Sequence, residues 1–354
     1  MTIKRNIIKI NYPSPTLAIV QSNLNKNIIF ALCQDHALIE INTLTQKVNQ
    51  ISQLKLDRID FSKSLSLQLS ANDTMISIVN VIGQYGYIYD LNLKEVVLNL
   101  DRKDYQIENS SFPIKFVHVN DQDYLVHASD WNHIDIYDFK EEKNITYRET
   151  NKYEAPGYLD YFYSELHVSP SNKWILSSGW VWHPVSVLKF IDLNEWMTNS
   201  IAELEKSNDA DFSIMSYYWD RALCWIDENT IAYLYDPREE DLDEEDRAEQ
   251  IFEADTSYIL IYDVSAVEIT KKIKFSEYEI DGYFEAASDC RIFYNGHLII
   301  SSKNGVYILD KESGKITFKD LNVALDQYNE RQNIFYRLIE NNAIELINIG
   351  LEEN

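Results

Sequence analysis

The stretch that decides the fold is residues 65–100, LSLQLSANDTMISIVNVIGQYGYIYDLNLKEVVLNL. It contains four short segments that are rich in branched and aromatic residues, which favour strands. Polar turn residues separate these segments at regular spacing. Because short strands joined by short turns pair with their chain neighbours, the stretch predicts an antiparallel meander of four strands.

The third segment of this meander recurs along the chain and ends each time in Asp or Asn. Successive copies are about 40 to 70 residues apart, and most intervals are near the length of one propeller blade. The seven copies end at Asn42, Asp90, Asp138, Asp192, Asp263, Asp310 and Asn348. This repeat predicts an all-β, seven-bladed β-propeller that forms a single domain over residues 1–354.

The two ends of the sequence complement each other. The last copy, AIELIN at residues 343–348, is followed by too few residues for another outer strand, whereas residues 2–10 precede the first complete blade. We expect residues 2–10 to supply the outer strand of the last blade, which would close the propeller and protect its strand edges.

Two short motifs resemble a known family. The sequence SPSNKWILSSG at residues 169–179 resembles the SPDGKWLASG-type strand pair of bacterial WD40-like propellers, and ILDKESGKITF at residues 308–318 is similar to the turn between the last two strands of their blades. The repeated segments do not end in the Trp-Asp pair of true WD40 repeats, so the resemblance does not imply their hydrogen-bond network. It implies a fold, and a fold does not fix a function.

Insertions account for the longer intervals between copies. Residues 194–207 predict a short helix with Asn194 as its N-cap and with Met197, Ile201 and Leu204 packed on the blade beneath. A second brief helix is predicted at residues 323–332. Residues 236–255 hold eleven acidic residues, which predicts a solvated loop or short helix rather than a specific cation site.

The overall composition of the sequence argues against several kinds of partner and cellular location. The formal net charge is -25, which argues against nucleic acid as a partner because binding a phosphate backbone requires a clustered basic surface. No signal peptide and no apolar run long enough to span a membrane are found, and the three scattered cysteines are typical of reduced, packed thiols. We therefore expect a cytoplasmic protein with no membrane partner, and a monomer because a closed propeller has no free edge.

One face of the predicted propeller gathers the residues with functional chemistry, because loops between the second and third strands lie beside the links between blades. Aromatic rings, histidines and carboxylates are typical of a recognition surface. The predicted binding residues are Trp131, His133, Tyr161, Tyr163, Trp180, Trp182, His183, Tyr218, Trp219, Asp220 and Tyr283. The alternative is that these rings fill gaps between blades.

Six of the seven tryptophans lie between residues 174 and 225, which makes this part of the chain an aromatic sector. Such rings suit stacking on a sugar or clamping a cation, and packing beneath the predicted helix explains them equally well. His36, His133 and His183 occupy equivalent loops, but no spacing typical of metal ligands supports a site. We predict no metal and no cofactor.

Two functions remain open. The first is a protein-interaction module that uses an aromatic and acidic face to bind a protein, and a particular version has a basic toxin or nuclease as the partner. The alternative is a hydrolase or lyase acting on a carbohydrate or another small molecule, with Glu165, Asp220 and Glu285 as candidate acids and bases. Carboxylates at these positions can equally cap turns.

Overall fold

The computed structural model describes residues 2–146, 158–182, 185–199, 212–214, 219, 221–235, 252–253, 256–274, 290–302, 305–340 and 342–350. The chain forms two compact units. The first contains residues 1–143 and 325–354, and the second contains residues 144–324.

Four antiparallel sheets of four strands belong to the first unit. Their strands, in chain order, are β1 (Thr2–Lys9), β2 (Thr16–Gln21), β3 (Ile28–Cys33), β4 (Ala37–Asn42), β5 (Lys47–Gln53), β6 (Leu65–Leu69), β7 (Met75–Asn80), β8 (Tyr85–Asp90), β9 (Glu95–Asp101), β10 (Ile114–Val119), β11 (Gln122–Asp130), β12 (His133–Asp138), β13 (Lys143–Asn144, at the unit boundary), β26 (Gln327–Asn329), β27 (Ile334–Ile339) and β28 (Ala343–Gly350). A 3-10 turn covers Ile107–Asn109.

Three further antiparallel sheets of four strands belong to the second unit. Their elements are β14 (Phe162–Val168), β15 (Trp174–Val181), β16 (Val185–Asp192), the helix α1 (Leu193–Thr198), β17 (Phe212–Ile214), β18 (Leu223–Trp225), β19 (Thr230–Tyr235), β20 (Tyr258–Asp263), β21 (Glu268–Lys274), β22 (Arg291–Tyr294), β23 (Leu298–Ser302), β24 (Gly305–Leu309) and β25 (Ile316–Asp320).

Seven successive four-stranded sheets make a seven-bladed β-propeller, and the predicted fold class is confirmed. In six sheets the strand order follows the chain, whereas the seventh has the order β1-β28-β27-β26. The strand β1 pairs with β28 along its whole length, from Thr2 opposite Gly350 to Lys9 opposite Ala343. The core lies between neighbouring sheets, as where Leu32 and Tyr89 join one apolar cluster.

The terminal Asp or Asn of the repeat has a local structural role. Oδ1 of Asp90 accepts hydrogen bonds from the backbone N–H groups of Asn92 and Leu93, at 2.7 and 2.8 Å. Oδ1 of Asn42 makes the same contacts to residues 44 and 45, at 3.1 and 2.9 Å. Asp138 and Asp263 do likewise. In these four copies the last side chain of the repeated segment therefore fixes the following turn.

Replacing Asp90 with alanine should lower the free energy of unfolding by about 1 kcal/mol, because two turn N–H groups lose their acceptor. Asp90→Asn is the matched control, because the amide oxygen of Asn42 accepts the equivalent hydrogen bonds from the turn that follows it. Urea unfolding of the two variants checks the prediction. Equal losses in both would show that the charge of Asp90, and not its acceptor atom, stabilises the turn.

Carboxylates also join neighbouring sheets at the turns after their first strands. In the first unit, Asp73 accepts hydrogen bonds from the hydroxyl of Ser22 and from the backbone N–H of Asn23. In the second unit, Glu228 accepts from the hydroxyl of Ser169 at 2.6 Å and from the backbone N–H of Ser171 at 2.9 Å. Burial alone would raise the pKa of Glu228, but these hydrogen bonds outweigh it and lower that pKa.

The helix α1 overlaps the first part of the predicted helical insertion, and its N-cap differs from the prediction. Asp192 is the cap, and its Oδ1 accepts from the backbone N–H of Glu195 at 3.0 Å. Asn194 lies inside the helix because the repeat's terminal Asp already caps it two residues earlier. Leu193 and Trp196 form the buried face. The rest of the insertion, residues 200–207, lies outside the described residues.

The prediction of a second helix at residues 323–332 is wrong. The segment contains the strand β26, which pairs with β27 so that Gln327 lies opposite Tyr336. The ring of Tyr328 stacks on that of Phe335 at 4.4 Å, and Asn329 donates a side-chain hydrogen bond to the carbonyl of Ser22 at 3.0 Å. Sheet pairing therefore overrides the local helix propensity of this segment.

The remaining general predictions concern thiols and membranes. None of the three cysteines forms a disulfide, and burial raises the pKa of Cys33 to about 11, which suits a packed thiol. Across the part of the chain that the structure describes, no helix is both long and apolar enough to cross a membrane.

Candidate functional site

Five predicted site residues lie outside the described residues: His183, Tyr218, Asp220, Tyr283 and Glu285. The structure brings together three others, Trp180, Trp182 and Trp219, in a ring cluster of the second unit. This cluster, called the aromatic edge below, also contains Phe162. Tyr161 and Tyr163 form a separate pair of rings. Trp131 and His133 belong to the first unit.

The aromatic edge follows from the pairing of β14 with β15. Phe162 lies directly opposite Trp180 in this antiparallel ladder. Side chains at facing positions share one side of a sheet, and Trp182 lies two residues beyond Trp180 on the same side. The sequence GWVW therefore places both indoles beside the ring of Phe162.

The rings adopt a defined geometry. The rings of Phe162 and Trp180 are stacked, with centroids 3.7 Å apart and planes 4° apart. The indole of Trp182 is nearly perpendicular to both, at 5.4 Å from the Phe162 centroid and 5.5 Å from that of Trp180. Because the two distances are almost equal, Trp182 lies beside the stack rather than at its end. Trp219 adds a further stacked ring, 5.0 Å from Trp180.

The members of the aromatic edge differ sharply in exposure. Trp180 is only 3% exposed and Phe162 is fully buried, whereas Trp182 is 45% exposed. The buried rings can support a contact but cannot make one at the surface. Trp182 is the described member of the cluster that presents a large apolar area to solvent on a rigid base.

Tyr161 and Tyr163 flank Phe162 in the chain and form a ring pair of their own. The hydroxyl of Tyr161 lies 3.0 Å from the carbonyl oxygens of Ser177 and Val187, and its ring meets that of Tyr163 edge to face at 4.8 Å. Both tyrosines are buried. A Cβ on Gly179 would overlap the carbonyl oxygen of Phe162 and the hydroxyl of Tyr161, so this strand position requires glycine.

In the first unit, Trp131 and His133 lie on the hairpin between β11 and β12. Trp131 is partly buried and its ring lies 5.3 Å from that of Tyr105. Nε2 of the buried His133 is 3.3 Å from Oδ1 of Asp135, whose Oδ2 accepts a hydrogen bond from Ser129 at 2.6 Å. Burial alone would raise the pKa of Asp135, but the hydrogen bonds and the nearby histidines outweigh it and lower that pKa.

The order in which Ser129, Asp135 and His133 contact one another determines whether they can act as a nucleophilic triad. In a nucleophilic triad the histidine stands between the serine and the carboxylate, where it takes the serine proton. Here Asp135 stands between Ser129 and His133, so the serine proton points to a carboxylate of low pKa. This order differs from that of a nucleophilic triad, and the two contacts link residues on both sides of the hairpin that carries Trp131.

Glu165 is the described member of the three candidate catalytic carboxylates. Its side chain is 53% exposed, and one oxygen lies 3.8 Å from Nε2 of His167. A carboxyl group so open to water lacks the desolvation that prepares a general acid near neutral pH. The geometry therefore gives the enzymatic alternative no support at this residue.

A metal site would need several donor side chains close together. Within the described residues, no group of three or more His, Cys, Asp or Glu side chains is placed to hold a metal ion. His36 instead stacks on Phe61, with ring centroids 4.0 Å apart.

Sequence reasoning missed two residues on which the aromatic edge depends, Phe162 and Gly179. A glycine inside an otherwise apolar strand signals a close approach of backbone or side chain, and SSGWVW carries that signal at Gly179. Phe162 lies within a run of aromatic residues in which no pattern distinguishes it.

No protein-family model matches the chain, and no curated protein matches it. Among solved structures, a chain of the "Crystal Structure of Mitotic Checkpoint Complex" aligns with a TM-score of 0.56 and 11% identity, over 97% of this chain and 91% of that one. Hydrazine synthase of Kuenenia stuttgartiensis aligns with a TM-score of 0.56 and 15% identity, over 95% of this chain and 96% of that one. At such low identity these likenesses show the β-propeller fold alone.

Proposed function

We propose that this protein is an interaction module that binds a basic protein through the aromatic edge. The single observation that carries the proposal is the exposure of Trp182, 45% of whose surface is open to solvent although its ring rests against two stacked buried rings. Tryptophan is enriched among the few residues that dominate protein–protein binding energy.

Rigidity supports this use of Trp182. The stacked rings of Phe162 and Trp180 hold the indole in place before any partner arrives. A contact that is already ordered loses little conformational freedom on binding, so more of the interaction free energy contributes to affinity.

Charge supports a basic partner. The formal net charge of -25 produces a field that accelerates the approach of a positively charged protein, and this attraction weakens as salt increases. The β-propeller is commonly a scaffold for protein interaction, and one of the similar structures belongs to a complex of proteins.

Replacing Trp182 with alanine should weaken binding of the partner at least tenfold, because truncation of a central aromatic contact costs about 2 kcal/mol or more. The partner is captured from lysate at low salt, purified, and its affinity for each variant is measured by calorimetry. Leu321→Ala is the matched control, since it truncates another exposed apolar residue of the second unit.

Two results would overturn the proposal. One is an affinity that Trp182→Ala and Leu321→Ala reduce equally, which would mean that the aromatic edge is not the contact. The other is an affinity that does not change between low and high salt, which would exclude a basic partner.

A further inference from the structure

The turns at one end of two neighbouring sheets in the first unit carry three exposed leucines. In a meander of antiparallel strands, the turn after the first strand and the turn after the third strand lie at the same end of the sheet. Leu24 and Leu44 occupy these turns in the sheet β2–β5, and Leu93 occupies the turn between β8 and β9 in the sheet β6–β9. They are 64%, 76% and 65% exposed. Such turns usually carry polar residues, so these three side chains, called the leucine surface below, are an exception that packing does not explain.

Hydrogen bonds between turns show that the two sheet ends lie side by side. Asp73, in the turn between β6 and β7, accepts from the hydroxyl of Ser22 and, through Oδ2, from the backbone N–H of Leu24 at 3.2 Å. The carbonyl of Thr74 in turn accepts from the N–H of Leu91 at 2.8 Å, at the start of the turn after β8. The leucine surface therefore extends across the ends of two adjacent sheets.

The turns that carry the leucines are ordered before any partner binds. The hydroxyl of Ser22 accepts from the N–H of Leu24 at 3.2 Å and from that of Asn25 at 2.8 Å. The N–H groups of Leu44 and Leu93 donate to the side-chain oxygens of the residues that end the preceding strands, at 3.1 and 2.8 Å. Side chains on an ordered backbone lose less conformational freedom on binding, so more of the contact free energy contributes to affinity.

The charge around the leucine surface differs from that of the protein as a whole. Each leucine is followed within three residues by an exposed lysine, and these are Lys26, Lys47 and Lys94. Within the described part of the chain these lysines form no ion pair. Of the carboxylates nearby in the chain, Asp73 and Asp90 accept hydrogen bonds from the turns, and Glu95 is exposed. In a protein with a formal net charge of -25, this surface therefore offers a partner more ammonium groups than uncommitted carboxylates.

We propose that the leucine surface docks a segment of a second protein that combines apolar side chains with carboxylates. The apolar side chains cover the leucines, and the carboxylates pair with the flanking lysines. This partner is opposite in charge to the one proposed for the aromatic edge. The inference therefore goes beyond the proposed function and does not depend on it.

An anionic membrane would also match leucines beside lysines, but the charge of the protein favours a protein segment. A membrane faces the molecule over a broad area, so the net charge of -25 repels it. A short segment interacts mainly with charges within a Debye length of about 8 Å, and those next to the leucine surface include the three lysines.

The probe is the fluorescently labelled peptide Glu-Leu-Leu-Glu-Glu-Leu-Leu-Glu, whose binding is followed by fluorescence anisotropy. The peptide should bind although the net charge of the protein repels it. The double variant Leu24→Ser and Leu93→Ser should weaken binding about tenfold or more, because two apolar contacts are lost. Leu321→Ser is the matched control, since it changes an exposed leucine of the second unit, and it should leave the affinity unchanged.

The lysines are tested in the same assay. Lys26→Gln combined with Lys94→Gln should weaken binding of the peptide about fivefold at low salt and less at high salt, because salt screens the attraction. Lys55→Gln combined with Lys63→Gln removes the same charge from the link between β5 and β6, at the opposite end of the sheets. This control should change the affinity less than about twofold. Far-ultraviolet circular dichroism confirms that each variant is folded.

The docking surface is wrong if the peptide does not bind, or if the leucine double variant and Leu321→Ser have equal effects. It is also wrong if vesicles of phosphatidylcholine and phosphatidylserine bind through the leucines and the peptide does not, since the surface would then be a membrane contact. The affinity for the captured basic partner tests the proposed function separately, and Leu24→Ser with Leu93→Ser should not change it.

Discussion

Replacing Gly179 with alanine will lower the free energy of unfolding by about 3 kcal/mol, the upper end of the usual cost of overpacking. A methyl group there overlaps the carbonyl oxygen of Phe162 and the hydroxyl of Tyr161. One of these is backbone and cannot rotate away, so the strands β14 and β15 must separate. Tyr161 would also lose its position beside the carbonyls of Ser177 and Val187.

The Gly179→Ala substitution should also disturb the packing of the aromatic edge. Phe162 supports Trp182, and a shift of its backbone would release the indole from its base. We expect a lower midpoint of urea unfolding together with weaker partner binding. Gly350→Ala is the control, because its nearest neighbour would be the Thr2 hydroxyl at 3.2 Å, and it should change stability by less than about 0.5 kcal/mol. Equal stability of the two variants would contradict the close approach at Gly179.

The double variant Arg5→Ala and Arg337→Ala should be about 3 kcal/mol less stable than the wild type at neutral pH. The side chain of Glu345 is fully buried, and its two oxygens accept from Nε of Arg5 at 2.5 Å and from Nε of Arg337 at 2.7 Å. Removal of both arginines leaves a buried carboxylate without its cations. Adding Glu345→Leu to the double variant should restore most of the loss, because an apolar residue needs no partner.

The pH dependence gives an independent check of this triad. Burial alone would raise the pKa of Glu345, but the hydrogen bonds and charges of Arg5 and Arg337 outweigh it and lower that pKa. The triad therefore stabilises the fold above the unfolded pKa of a glutamate, and this stability is lost as pH falls through the lower folded value. Wild type should lose more stability than the triple variant between about pH 5 and pH 3. Parallel pH profiles would exclude the triad as a source of stability.

The fold could be predicted because the residue that stabilises the turn recurs along the sequence at about the length of one blade. In four of the seven copies the repeated Asp or Asn both ends a strand and accepts hydrogen bonds from the next turn. In these copies the residue that makes the repeat visible in sequence is the one that shapes the hairpin. The helix at residues 323–332 was wrongly predicted because the strand pairing of Tyr328 depends on β27, which no local pattern of that segment reveals.

The sequence could predict which residues form the candidate site, but not which of their side chains are exposed to solvent. The tryptophans of GWVW alternate along one strand, and the sequence places them on one side. Which indole is covered depends on Phe162, a residue of another strand that stacks on Trp180 and only borders Trp182. Such contacts between strands decide whether an aromatic ring packs or binds, and they are absent from any single segment.

The pairing of β1 with β28 has a consequence for the order in which the protein is made. Arg5 and Glu345 are separated by 340 positions, so during synthesis β1 waits for its partner on the order of tens of seconds. Throughout that time β1 lacks its partner strand, and its Ile7 is 58% exposed even in the folded protein. Its charged residues Lys4, Arg5 and Lys9 act as gatekeepers that discourage this nascent strand from pairing with another chain. The arginine that later meets Glu345 thus protects the chain before the last sheet exists.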